Sequence, residues 1–305
     1  ITLGKFKGII NEQIPELPKE NLLLEPYARR TAPCIAYATY TLLKRNPDAV
    51  MAATPADIIV NDEQLFKETM THALDYAEKN PVLVTLGVKP DRPDTEYGYI
   101  QAVGGKGACS SGDPVKVKTF TEKPDAEIAD VFFRSGEFFW NSGIFVWQAS
   151  VIKEEMERYI PEITRLFDGW EGALGSPAEE VFIERAYTDC IKLSIDYGVM
   201  EKTDRAWVYP IQFGWSDIDS WENYYSSIQR KDQDGNISNT QMKILQNDKR
   251  NIILTKNKNK LLMIRGLEDC LVVDTDDVLL ICPRDDKQYK ELVNSTRMPG
   301  YDKYR

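Results

Sequence analysis

Carboxylates carry most of the chemistry within reach of this sequence. Val50–Ala53 is an apolar run that stops at Thr54-Pro55-Ala56-Asp57, so Asp57 stands where a buried strand gives way to a loop. Open α/β sheets bind ligands at that end of their strands. Position alone fits a metal ligand and an aspartate capping its own turn equally well. A second acidic segment, Phe213-Gly-Trp-Ser-Asp-Ile-Asp-Ser-Trp221, sets Asp217 and Asp219 two apart after Val208-Tyr-Pro-Ile211. Mg²⁺ takes one or two protein carboxylates and completes its shell with phosphate oxygens and water, so one aspartate from each segment would suffice. A bare Asp-x-Asp, taken by itself, more often marks a solvated turn.

Lys116-Val-Lys-Thr-Phe-Thr-Glu-Lys-Pro124 alternates like a strand and ends in Glu122-Lys123-Pro124. A lysine there reaches a phosphate as a point charge, and the neighbouring glutamate accepts hydrogen bonds from sugar hydroxyls. The plainer reading is a surface ion pair before a turn. Trp140-Asn-Ser-Gly-Ile-Phe-Val146 places Asn141 and Gly143 ahead of an apolar run, and Thr95-Glu-Tyr-Gly-Tyr-Ile100 places Gly98 between two tyrosines. Glycine admits close approach of backbone to ligand, and an asparagine amide offers both donor and acceptor. Either segment also reads as the entry to a hairpin. His72 is the sole histidine, which excludes His-pair mechanisms and His-based metal clusters. It falls beside the apolar stripe of a helix, as a boundary residue does.

The elements that must position these residues alternate short apolar runs with amphipathic stretches, the sign of βαβ units and a mostly parallel sheet. Phe66, Met70, Ala73 and Ala77 recur at helical spacing and predict a helix over 62–80, with Asn61 and Gln64 as its capping box. After Pro81, the continuous apolar run Val82–Val88 predicts a strand covered on both faces. Ser176-Pro177-Ala178-Glu179 combines an N-cap, a first-turn proline and a glutamate, predicting another helix. Beyond Lys231-Asp-Gln-Asp-Gly-Asn236, short strand-like runs at Asn251–Thr255, Leu261–Ile264 and Leu271–Ile281 are separated by turns, with few helical signals and no repeat long enough for a solenoid. The division is a catalytic domain over 1–230 and a small β-rich module over 231–305.

At 305 residues, 42% apolar and 28% charged, the chain has an ordinary globular composition. No run approaches the roughly 20 apolar residues of a membrane span. A net charge of -10 repels a phosphate backbone, so a nucleic-acid polymer is excluded as partner, while a local lysine or Mg²⁺ leaves phosphorylated small molecules open. Five scattered cysteines (Cys34, Cys109, Cys190, Cys270, Cys282) without CxxC spacing point to reduced thiols in a cytoplasmic protein.

Taken in order, these segments resemble the mannose-1-phosphate guanylyltransferases, or GDP-mannose pyrophosphorylases. The resemblance rests on Glu25-Pro26, Arg29, Thr31-Ala-Pro33, Pro55-Ala-Asp57, Thr95–Ile100, Phe120-Thr-Glu-Lys-Pro124, Trp140–Phe145, Ser194-Ile-Asp-Tyr-Gly-Val-Met-Glu-Lys202 and Phe213-Gly-Trp-Ser-Asp217. It implies a Rossmann-like nucleotidyltransferase domain with a mostly parallel mixed sheet, followed by the β-rich module. It also implies formation of GDP-mannose and pyrophosphate from GTP and mannose 1-phosphate. By the same resemblance, Asp57 and Asp217 hold Mg²⁺, and Lys123 grips the sugar phosphate. Gly98, Glu122, Asn141, Gly143 and Asp196 then line the sugar pocket, and Glu25, Arg29, Thr31 and Ala56 lie near the nucleotide.

The chain departs from the family's pattern at Ile58, where histidine is usual, at Arg30, where Asn or Asp precedes Thr-Ala-Pro, and at Asp219, where glycine is usual. The glycine-rich triphosphate loop with which the family opens has no counterpart, and Ile1-Thr2-Leu3 resembles the middle of a later strand. The expectation is that about 50 residues, one or two βα units, precede Ile1. Two other readings compete: a metal-dependent glycosyltransferase that uses Asp217-Ile-Asp219, and a non-catalytic sugar-phosphate-binding subunit. The sequence leaves room for a homo-oligomer without requiring one.

Overall fold

The computed structural model describes residues 1–105, 112–218 and 220–304, so Cys109 and Asp219 lie outside the described residues. Two short strands, β1 (Thr2–Leu3) and β2 (Leu24–Glu25), pair in parallel and flank α1 (Lys7–Gln13) in sequence. In α2 (Thr31–Arg45), Ala32, Ile35, Ala36 and Tyr40 are buried at the spacing of a helix stripe. The strands β3 (Val50–Ala53) and β4 (Ile58–Val60) precede α3 (Glu63–Lys79), the helix predicted from its spacing. β5 (Leu83–Val88) is the continuous apolar run, buried from Leu83 to Gly87.

Next come β6 (Tyr99–Ala102), β7 (Val115–Thr121), α4 (Ala126–Ser135) and the long β8 (Phe138–Gln148). The helices α5 (Ala149–Tyr159), α6 (Pro161–Thr164), α7 (Trp170–Ala173) and α8 (Glu179–Asp189) lead to a π-helical turn over Asp196–Met200 and then β9 (Ala206–Ile211).

Two predicted helix starts move. The cap of α3 is Asp62, whose carboxylate accepts from the Leu65 amide at 2.9 Å. The Asn61 backbone amide donates to Gly214 O, which takes the N–H that Gln64 would bond in a capping box, and Gln64 turns instead to Glu68 at 2.7 Å. α8 begins at Glu179, after Ala178, instead of at Pro177. The Glu179 carboxylate takes the Gly175 amide and the Tyr37 hydroxyl, each at 2.6 Å, and this winds Ser176–Glu179 into a turn ahead of the helix.

The central sheet runs in the order β3-β8-β5-β9-β7-β6, with a further β8–β6 pairing. Its strands are mixed in direction, and the expectation of a mostly parallel sheet needs correction at the level of pairing. β3, β5, β9 and β6 share one direction, yet β8 and β7 run the other way between them, so β5–β9 is its one parallel pairing among the described residues. The apolar run alone could not reveal this, because a strand buried on both faces reads the same in either direction. Helices α2 and α5 pack together over a core that includes Tyr40, Trp147, Ile152, Phe167 and Tyr187. His72 keeps its boundary position on α3, with Nδ1 2.8 Å from the Tyr209 hydroxyl and Nε2 3.3 Å from Asp113.

By compactness the chain forms two units, residues 1–55 with 62–213, and residues 56–61 with 214–305. The sequence reading divides it at 230/231; the compact units divide at Phe213/Gly214 and add the β4 segment to the C-terminal part. The cause is a ladder: β10 (Trp215–Asp217) pairs antiparallel with β4.

After α9 (Trp221–Ser227), the second unit winds through β11 (Ile237–Ser238), β12 (Lys243–Gln246), β13 (Ile252–Thr255), β14 (Leu262–Arg265), β15 (Cys270–Asp274) and β16 (Leu279–Pro283), and then α10 (Asp286–Asn294). β11, β13 and β15 stack in parallel, as do β12 and β14, and β16 closes antiparallel on β15. This is a short parallel β-coil, an architecture that the sequence reading missed. Lys243 faces Leu262 and Ile252 faces Leu271, nineteen residues on in each case, but Ile237 faces Ile252 after only fifteen. Unequal turns over so few rungs leave no fixed period to detect. An amide ladder spans the rungs: Asn236 Oδ1 accepts from the Asn251 N and Nδ2, and Asn251 Oδ1 accepts from the Cys270 amide, at 2.8–3.0 Å.

Candidate functional site

In the first unit, four expected sugar-site residues come together from distant parts of the chain. β6 and β8 are sheet neighbours, and the Asn141 amide donates to Gly98 O at 2.8 Å. The Asn141 side chain is held on both ends: Oδ1 accepts from Thr85 Oγ1 at 3.1 Å and from the Gly143 amide at 3.2 Å, while Nδ2 donates to Asp196 Oδ1 at 2.9 Å. The amide orientation is thereby set by donor and acceptor chemistry. Space at Gly98 is tight: a Cβ there would displace the Glu122 carboxylate end and stand 3.2 Å from Asn141 Cβ. Gly143 is required by conformation, at φ 72°, with Pro55 3.1 Å from where its Cβ would be.

Glu122 is the least satisfied group of this cluster. Its Oε2 is buried with no hydrogen-bond partner, and its amide donates to Glu201 Oε1 at 3.0 Å. Burial, reinforced by the charges of Asp196 and Glu201 and opposed by Lys123 and by the Asn141 side chain, pushes its carboxyl up to about 7. Burial also raises Asp196, against the hydrogen bonds that it accepts. A carboxyl raised to near neutrality can both donate and accept hydrogen bonds. Asp196 itself opens the π-helical turn, a local widening of the helix that recurs at functional sites. Lys123 sits in the left-handed region at φ 47° and its Nζ lies 3.6 Å from Glu96 Oε2.

The expected nucleotide residues divide. Glu25 and Arg29 line a cleft of ≈ 510 Å³ together with Lys5 and Lys192. Tyr187 donates to Glu25 Oε1 at 2.9 Å, and burial raises the Glu25 carboxyl in spite of that bond. The Arg29 guanidinium donates to Tyr187 O and Thr188 O, both at 3.0 Å, and so covers the last carbonyls of α8. Thr31 lies elsewhere: its Oγ1 accepts from the Ile195 amide at 2.9 Å, and it lines a separate cavity of ≈ 610 Å³ with Cys34, Pro55 and Gly143 against the sheet-edge strand β3.

Ala56 and Asp57 belong to the second unit. There the β4/β10 register sets Asp217 opposite Ile58, and the Ile218 amide donates to Asp57 O at 2.9 Å, so the two aspartates flank one rung of a ladder. Among the described residues no group of three or more His, Cys, Asp or Glu could hold a metal ion. The two backbones are adjacent, and carboxylate oxygen is the donor type that Mg²⁺ takes beside phosphate and water, which keeps Asp57 and Asp217 as candidate ligands.

The sequence reading missed Thr85, Glu96, Tyr197 and Glu201. Thr85 had a signal: it is the one hydroxyl in an otherwise apolar strand, and it is fully buried. Glu201 and Tyr197, whose hydroxyl lies 3.4 Å from Glu122 O, were inside a matched motif but received no role.

The chain, α/β with a central mixed sheet, belongs to the nucleotidyl transferase family, whose profile matches residues 4–234. It is 35% identical to the mannose-1-phosphate guanylyltransferase of Escherichia coli K12, over 99% of this chain and 63% of that protein. It is 36% identical to the alginate biosynthesis protein AlgA of Pseudomonas aeruginosa, over 92% of this chain and 58% of that protein. The chain thus spans about three fifths of these relatives. A solved structure from Thermus thermophilus, described as mannose-1-phosphate geranyltransferase, superposes with a TM-score of 0.77 at 25% identity, covering 96% of this chain and 89% of that one. Among the described residues no helix is long and apolar enough to cross a membrane.

Proposed function

We propose that the protein transfers a guanylyl group from GTP to mannose 1-phosphate, forming GDP-mannose and releasing pyrophosphate, in the cytoplasm. The observation that carries this reading is the Gly98–Glu122–Asn141–Asp196 cluster with Lys123 at its edge. It gathers a raised carboxyl, an amide held in one orientation and a lysine, groups that suit a hydroxylated and phosphorylated ligand. The identity to guanylyltransferases over nearly the whole chain supports the choice of substrates.

An oxygen of the sugar phosphate attacks the α-phosphorus of GTP in line. The new O–P bond forms as the bond to the β-phosphate oxygen breaks, and the electron pair leaves with pyrophosphate. No general base is needed, because a phosphate monoester with a second pKa of about 6 is already mostly ionised at neutral pH. This chain's contribution is positioning and charge balance. Asn141, fixed by Thr85 and Asp196, orients the sugar, Glu122 receives a hydroxyl, and Lys123 draws in the phosphate. Asp57 and Asp217 would hold Mg²⁺, which neutralises phosphate charge when bound.

Pyrophosphate release from GTP and mannose 1-phosphate with Mg²⁺ tests the reading on the full-length protein. Asp217→Ala is expected to abolish it, a loss of at least about 10²-fold, as for removal of a group that stabilises charge in the transition state. Sugar-phosphate binding without turnover in the native protein would instead favour a binding subunit, and consumption of GDP-mannose without pyrophosphate a glycosyltransferase.

A further inference from the structure

Lys123 is ion-paired with Glu96, and Glu96 stands on a built turn. Asp94 Oδ1 accepts from the Glu96 amide at 2.9 Å, Asp94 Oδ2 takes Arg92 Nη2 at 2.9 Å, and the Asp94 amide donates to the Tyr99 hydroxyl at 2.9 Å. On the other side, Tyr97 is buried with its ring 4.9 Å from that of Trp140. The Glu96 backbone is therefore pinned between a polar brace and an aromatic one. The surroundings of Lys123 are otherwise acidic: Glu122, Asp196 and Glu201 all lie close enough to act on one another's charge.

A single lysine that must attract a phosphate dianion is thus already engaged by a carboxylate, in a cluster of further carboxylates. From this we infer that Glu96 sets the ligand affinity of the site, as a built-in competitor that occupies Lys123 until a ligand phosphate displaces it. The inference rests on the proposed role of Lys123 in gripping the sugar phosphate. Glu96 lowers affinity for the phosphorylated sugar, because the ligand phosphate must first displace it from Lys123. Both partners are well exposed, Lys123 49% and Glu96 69%, so solvent screens the pair and its effect is modest.

Calorimetric titration of mannose 1-phosphate into four full-length forms tests this: wild type, Glu96→Gln, Lys123→Ala and the double variant. The expected result is a Kd about two- to fivefold lower for Glu96→Gln, a gain that shrinks at high salt. In the Lys123→Ala background the gain should disappear, since the cycle isolates the pairwise coupling. Equal or weaker binding by Glu96→Gln, or the same gain with and without Lys123, would overturn the inference, the latter by revealing only a general field effect. Unchanged binding by Lys123→Ala alone would remove the reading of the phosphate site itself, a failure distinguishable from that of Glu96.

Discussion

The Glu122 cluster of the first unit and the β-coil of the second handle buried polar groups in opposite ways. In the coil, Asn236, Asn251 and Asp248 pass hydrogen bonds from rung to rung, and Asp248 accepts from both the Gln246 and the Leu267 amides, at 2.7 and 2.9 Å. In the cluster, Glu122 keeps a buried oxygen without a partner and shares its surroundings with two further carboxylates. A buried polar group left unmatched costs stability, and this one is packed against Gly98. The ladder does the reverse, committing its polar groups to holding a fold together.

The most direct way to break this contrast is Gly98→Ala. The added Cβ collides with Glu122 Oε2 and crowds Asn141, so kcat/KM for mannose 1-phosphate should fall by about 10²-fold, as a misplacement near 1 Å does. An active Gly98→Ala enzyme would mean that Glu122 does not need its observed position.

The second test sharpens the claim that Glu122 is held against its preference. Its folded pKa, about 7, lies above the 4.5 of an unperturbed glutamate. Below pH 4.5 both states are protonated and the group contributes no difference. Between pH 4.5 and 7 the unfolded chain loses the proton first, so stability falls with rising pH by up to about 3 kcal/mol and levels off above 7. Urea unfolding at about pH 5 and about pH 8 should show this loss in the wild type and a smaller one in Glu122→Gln. Equal slopes in the two proteins would count against the raised pKa.

The smallest expected effect lies in the coil. Asn251→Ala leaves the Cys270 amide without its partner and removes one of the two donors to Asn236 Oδ1, and should cost about 1–3 kcal/mol in denaturant unfolding of the second unit. Mannose 1-phosphate binding by the folded variant should remain at the wild-type level. A loss of binding as large as that in Gly98→Ala would erase the distinction between the two regions.

Much of the local structure was legible because it depends on neighbours in the chain. Apolar spacing along Phe66–Ala77 specifies a helix whatever surrounds it, and the run Leu83–Gly87 specifies a buried strand. The types of the cluster residues were legible too: an amide at Asn141, small backbone at Gly98 and a Glu-Lys pair at 122–123. Their identification as one site came from a resemblance, since no local rule connects Gly98 to Asp196.

Tertiary structure decided everything that depends on register between distant segments. It set β8 and β7 antiparallel among strands that share a direction, wound the C-terminal strands into a parallel coil with unequal turns, and placed Glu96 against Lys123. Period and propensity repeat over a few residues and can be read along the chain, whereas a contact across many residues follows from which edges pair. For the opening carboxylates, the sequence marked Asp57 and Asp217 as candidate ligands, and the β4/β10 ladder alone made them neighbours.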